Sequence, residues 1–184
     1  GDAYVFQRAR MEGNDRPLNV VLLIMESWTA GYHGSIGDGE SRTPFFDSLA
    51  QRGLLLTQFL ANGQRSIEAI PSILASLPGI YESSLIGSKA ETNTFRGLGS
   101  ILADHGYSTS FHHGAATGSM GFDAFSRLAG FMRYFGKEDY PAPADSLEDG
   151  VWGLNDEPFF LQACEDISAM REPFCSVLFS LSSH

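Results

Sequence analysis

Asn19-Val20-Val21-Leu22-Leu23-Ile24-Met25-Glu26-Ser27 sets an uninterrupted aliphatic run directly before a carboxylate and a hydroxyl. Such a run, bounded by polar residues, reads as a strand buried on both faces, as strands of a parallel sheet are. It is far shorter than the ~20 residues a membrane-crossing helix needs. Working outward, Thr43-Pro44 offers an N-cap and a proline at the first helical position, and Gly53 closes that helix. Leu54 to Leu60 reads as a second strand. Ser66 to Leu77 reads as a helix stopped by Pro78-Gly79, and Phe95 to His105 as a helix stopped by Gly106. Ser108 to His113 is strand-like, Met120 to Leu128 a short helix, and Tyr140 to Gly150 a loop. Asp156 to Met170 reads as a helix and Phe174 to Leu181 as a final strand. This alternation predicts an α/β fold: a mostly parallel central sheet with helices on both faces.

Composition narrows the function classes. The 184 residues carry 12 Lys+Arg against 22 Asp+Glu, a net charge of −10. A nucleic-acid binder or a surface that rests on anionic lipid needs basic patches, so both are disfavoured. A hydrophobic share of 43% with 18% charged residues is that of a chain with a packed core, not of a disordered one. Twenty glycines imply many tight turns. Cys164 and Cys175 make no disulfide framework and lack metal-ligand spacing; they are expected to be buried free thiols. The N-terminus has no basic-then-apolar leader.

In a parallel sheet the functional site lies beyond the carboxyl ends of the strands. Four polar clusters follow apolar runs here: Glu26-Ser27, Asn62 to Ser66, His112-His113 and Ser182 to His184. A carboxylate on a rigid strand end suits a hard-cation ligand or a base, and equally an ordinary turn acid. Ser66 stands at a helix start, where a serine caps the helix. The free backbone N–H groups of such a start also bind phosphate. A divalent cation on that hydroxyl would lower its pKa and make it a nucleophile. Alternation along a strand sends one of His112 and His113 into the core and the other towards the crevice. His33 and His105 read as loop and helix-end residues without a role.

With these residues assembled, the chain resembles the alkaline phosphatase superfamily, in its sulfatase-like branch of phosphoglycerol transferases and lipoteichoic acid synthases. Asn19 to Ser27 looks like that family's first strand, ending in its metal-binding Glu. Thr43-Pro44-Phe45-Phe46-Asp47-Ser48-Leu49-Ala50-Gln51-Arg52-Gly53 is similar to its T-P-x-x-D-x-L-A-x-x-G helix. Gly63 to Gly79 aligns with the nucleophile loop and helix. Asp156 to Phe160 and Pro173 to His184 look like its later helix and the strand ending in a substrate-binding His.

The resemblance implies that Glu26 and Ser66 ligate one divalent cation (Mn, Mg or Zn) and that Ser66 is transiently phosphorylated. It also implies that His113 and His184 orient the substrate and that Arg65 steadies a phosphate oxygen. The substrate would be a phosphodiester head group of a lipid or glycan, on the extracytoplasmic face of a membrane. Residues 1–16 would be a connector to a membrane anchor outside this chain, and 17–184 the N-terminal part of a catalytic domain. The family completes its metal site with an Asp-His pair beyond the last strand, so the shell here is expected to be partial. Ser66-Ile67-Glu68-Ala69-Ile70 lacks the proline and arginine of the C/S-x-P-x-R signature, which disfavours sulfate-ester hydrolysis through formylglycine. Phosphoethanolamine transfer and phosphodiester hydrolysis are the alternatives within the class. From another class, a non-catalytic head-group-binding domain with an incomplete metal site is the alternative.

Overall fold

The computed structural model describes residues 16–36, 40–79, 84–140 and 153–182. Its sheet has four parallel strands: β1 (Val20–Ile24), β2 (Ser108–His113), β3 (Arg133–Phe135) and β4 (Phe174–Phe179). Their spatial order is β1-β4-β2-β3. Five α-helices are described: α1 (Pro44–Ala50), α2 (Ser66–Ala75), α3 (Leu98–Ala103), α4 (Phe122–Leu128) and α5 (Asp156–Ser168). On one face Phe111, Val177 and Phe179 pack with Ile70 and Leu74 of α2 and with Phe122 and Phe125 of α4. On the other, Phe135 and Leu178 pack with Phe159, Ala163 and Ile167 of α5. Each such fully buried phenylalanine contributes roughly 1.5–3 kcal/mol. The α/β class, with helices on both faces, is as expected.

Three expectations are corrected. Leu54 to Leu60 is not a strand; no sheet neighbour lies beside it among the described residues, and Leu54, Leu56 and Leu60 are exposed. β1 is not buried on both faces. Leu22 and Ile24 face the α2 side, whereas Val21 and Leu23 are 56% and 51% exposed. Cys164 is exposed, and only Cys175 is buried, although both are free thiols as expected. β3 had no sequence signal, because three residues are too few to show a period. The expected connector falls almost entirely outside the described residues.

β2 displays the alternation cleanly. Phe111 and His113 face α4, and Ser110 and His112 face α5. Both His112 nitrogens meet hydroxyls, Nδ1 that of Tyr140 at 2.9 Å and Nε2 that of Ser110 at 2.9 Å. Its ring stacks on Phe135 at 4.4 Å. Burial, with the charge of Arg133, pushes its pKa down to about 4.

The strand ends are tied to one another. Ser180 donates its backbone N–H to Ile24 O at 2.9 Å, and its hydroxyl accepts the N–H of Glu26 at 2.7 Å. Asp156 at the start of α5 accepts the N–H groups of Leu181 (2.7 Å) and Ser182 (3.1 Å). Ser182 Oγ accepts the Asp156 N–H in return, at 2.8 Å. The exits of β1 and β4 are thereby held side by side.

Two outcomes follow. Ser180 is fully buried, so Ser180→Ala strips the Glu26 N–H of its acceptor and should cost roughly 1–2 kcal/mol in urea denaturation. For pH, an unfolded His112 takes up a proton near pH 6.5, whereas the folded one stays neutral until about pH 4. Stability should therefore fall as pH drops through that window, by about 3 kcal/mol for this group. Thermal melts between neutral pH and pH 4.5 should show the decline, and His112→Gln should make it shallower by the His112 share, leaving that of the equally buried His113. A Tm that stays level in the native protein would contradict a neutral buried His112.

Candidate active site

Glu26 lies just past β1, Ser66 opens α2 and His113 ends β2. All three line one cavity of about 30 Å³, together with Ser119, Met120, Phe122, Phe179 and Leu181. The volume matches one or two small occupants, such as a water or a single cation. Of the three non-glycine residues with left-handed backbone among the described residues, Met120 (φ 55°) lines the cavity and Ser27 (φ 50°) directly follows Glu26. Such conformations cost about 1–2 kcal/mol each and collect at functional sites.

Ser66 is not the helix cap expected of it. Arg65 holds the N-cap position, and Ser66 is the first helical residue. Capping falls to Glu68, whose carboxylate accepts the N–H groups of Gln64 (2.9 Å) and Arg65 (3.4 Å). Arg65 adds bonds from Nε (2.9 Å) and Nη2 (2.6 Å) to Glu68 Oε1, and these hold the Glu68 pKa below the usual carboxylate range. Gly63 (φ 134°) makes room for this arrangement, since a Cβ there would stand 2.7 Å from Glu68 Cβ. The Ser66 hydroxyl is consequently left without a hydrogen bond among the described residues, at the positive end of a helix dipole.

The Arg65 guanidinium pairs with Glu68, and Arg65 is not among the residues that line this cavity. Glu26 meets only a neutral side-chain partner among the described residues, the Ser27 hydroxyl at 3.1 Å. His113 stacks on Phe179 at 4.7 Å and meets the edge of Phe122 at 5.5 Å. Its Nδ1 lies 3.3 Å from Phe179 O. A carbonyl only accepts, so Nδ1 carries the proton and Nε2 keeps a lone pair. Burial pushes the His113 pKa down to about 4, so the ring is neutral at pH 7. His112 points to the opposite face, and His184 lies outside the described residues.

Sequence reasoning missed the packing that supports the β1 exit. His33 is buried, with ring centroids 5.4 Å from Trp28 and 4.3 Å from Phe46, and its Nδ1 lies 2.6 Å from Thr43 Oγ1. Asp47 accepts from Gly34 N (3.1 Å), Ser35 N (2.9 Å), Ser35 Oγ (2.5 Å) and Ser41 Oγ, which lowers its pKa strongly, the serine hydroxyls most of all. The acid three residues after Pro44 was the available signal, since a carboxylate in a first turn seeks N–H donors.

Among the described residues, no three His, Cys, Asp or Glu side chains cluster as a metal centre. The Glu26 carboxylate and Ser66 hydroxyl are hard oxygen donors of the kind Mg, Mn or Zn accepts.

Among curated proteins the chain is similar to lipoteichoic acid synthase 1 of Bacillus subtilis, 26% identical over 98% of this chain. It spans only 29% of that relative's length. Among solved structures it is similar to an alkaline phosphatase superfamily protein from Vibrio parahaemolyticus, with TM-score 0.82 and 28% identity, covering 92% of this chain and 41% of that one. It also resembles the fold of the lipoteichoic acid synthase LtaP from Listeria monocytogenes, with TM-score 0.77, 20% identity and coverages of 91% and 41%. The sulfatase family model matches residues 18–184, so that, with four parallel strands bringing Glu26 and Ser66 to one cavity, the chain belongs to the sulfatase family.

Proposed function

We propose that this chain carries the nucleophile side of a metal-dependent phosphoryl transferase acting on a phosphodiester head group of a lipid or glycan. The observation that carries this reading is the Ser66 hydroxyl. It is unbonded among the described residues, at the start of α2, in the same cavity as the Glu26 carboxylate. Helix-start N–H groups and dipole favour an anionic oxygen beside that hydroxyl. A divalent cation held by Glu26 and Ser66, with further donors from outside the described residues, would offset substrate charge and lower the serine pKa.

In the first step Ser66 Oγ attacks phosphorus, an Oγ–P bond forms, and the P–O bond to one alcohol breaks. The serine proton ends on that departing oxygen. In the second step an acceptor alcohol or water attacks phosphorus, the Oγ–P bond breaks, and the proton lost by the acceptor ends on Ser66 Oγ by way of His113, restoring both residues. His113 acts as a proton acceptor: with Nδ1–H engaged by Phe179 O, Nε2 takes the proton of the acceptor hydroxyl. Phosphoglycerol is the head group favoured by the similarity to lipoteichoic acid synthases. The same reading takes residues 17–184 as part of a catalytic domain, 1–16 as its connector, and an extracytoplasmic membrane face as its place. His184 would join His113 in orienting substrate.

In the full-length protein, Ser66→Ala should lower phosphodiester turnover by at least about a thousandfold. Mass spectrometry after substrate quench should place a phosphoryl adduct on Ser66. Glu26→Ala should lose the stoichiometric Mn, Mg or Zn found in the parent protein. Undiminished turnover in Ser66→Ala would overturn the nucleophile assignment.

A further inference from the structure

We propose that Ser27 is a positioning residue for Glu26: its hydroxyl fixes one carboxylate oxygen, so that the other is presented to the cation. This rests on the reading of Glu26 as a ligand of that cation. A glutamate beyond a strand end has a long side chain that turns freely, and a ligand that wanders binds a metal weakly. Among the described residues, the one hydrogen bond to the Glu26 carboxylate comes from Ser27, whose Oγ–H donates to Oε1 at 3.1 Å. Oε2 has no hydrogen bond among them.

The contact needs an unusual backbone. Along an extended strand, consecutive side chains point to opposite faces, so neighbours in sequence do not meet. β1 ends at Ile24, Glu26 and Ser27 form a turn, and Ser27 adopts a φ of 50°. That left-handed residue swings the chain round and brings its hydroxyl back to the preceding carboxylate.

The turn is fastened on both sides. Before it, the Glu26 N–H is held at 2.7 Å by the hydroxyl of Ser180, which is fully buried. After it, the Trp28 ring stacks on His33 at 5.4 Å and lies 6.4 Å from Phe46. Glycine would take up the Ser27 conformation more cheaply. Ser27 is exposed, so packing does not call for a serine there. A strained residue held on both sides, with its side chain on a neighbouring carboxylate, is the mark of a role at the site.

Titrations of the metal-free full-length protein with Mn²⁺ test the assignment, read by calorimetry and by loss of the free-ion EPR signal. Ser27→Ala and Ser27→Gly should each weaken Mn²⁺ binding by about tenfold to a hundredfold. Ser27→Asn tolerates left-handed backbone and keeps a donor, and should stay within about threefold of the parent. Without metal, the Tm of Ser27→Gly should be level with the parent's or higher, because glycine relieves the backbone. Parent-like affinity in Ser27→Gly, or equal loss in Ser27→Gly and Ser27→Asn, overturns the proposal. So does a Tm that falls together with the affinity of Ser27→Gly, since that is the pattern of a merely structural turn. Glu26→Ala separates this failure from failure of the reading beneath it. If Glu26→Ala binds Mn²⁺ as the parent does, or the parent binds none, Glu26 is no ligand and both fall. If Glu26→Ala loses the ion while Ser27→Gly keeps it, only the positioning role falls.

Discussion

The pairing of β4 between β1 and β2 is the constraint on which the site depends. Val20 to Ile24 run beside Cys175 to Phe179, and Ser108 to His113 run along the opposite edge of the same strand. The residues ending β4 then reach both ways. Ser180 grips the backbone of Glu26, and Phe179 offers its carbonyl to His113 and its ring as a stacking partner. A carboxylate and an imidazole far apart in the chain are thus referenced to one strand end. Parallel hydrogen bonding fixes their separation more firmly than a loop would.

The second determinant is a division of labour at the start of α2. A serine there ordinarily spends its hydroxyl on the free N–H groups of the helix. Here Ser66 stands one residue inside the helix, Glu68 reaches back to the N–H groups of Gln64 and Arg65, and the Ser66 hydroxyl has no hydrogen bond among the described residues. The exchange depends on Gly63, because the chain passes Glu68 too closely for any side chain. A position that looks like ordinary capping in the sequence is therefore a prepared group in the structure.

How far the sequence could be read follows from the range of the forces involved. β4 showed itself because burial on both faces leaves an apolar signature; β2, with Phe111 its one apolar residue, showed itself by its place between Gly106 and Gly114, and α2 and α5 because start and stop residues are local. Glu26, Ser66 and His113 were legible as residues that follow such elements. What was not legible depends on partners distant in sequence. β1 has the composition of an interior strand, yet Val21 and Leu23 lie open among the described residues. Leu54 to Leu60 has apolar residues and no strand to pair with. The pairing of Arg65 with Glu68, three residues on, was not read from the sequence either. Met120 lies in a turn whose shape no local period announces.

The place of β4 also sets a timetable. It is the last of the described strands and an inner strand of their sheet, and the Glu26–Ser180 contact spans 154 residues. During synthesis β1 leaves the ribosome first and waits for a partner not yet made, for about ten to thirty seconds at ordinary elongation rates. Its five aliphatic residues carry no charge or proline that would discourage pairing with another nascent strand. The same topology that brings Glu26 beside Ser66 leaves β1 an unpaired apolar segment until β4 has been made.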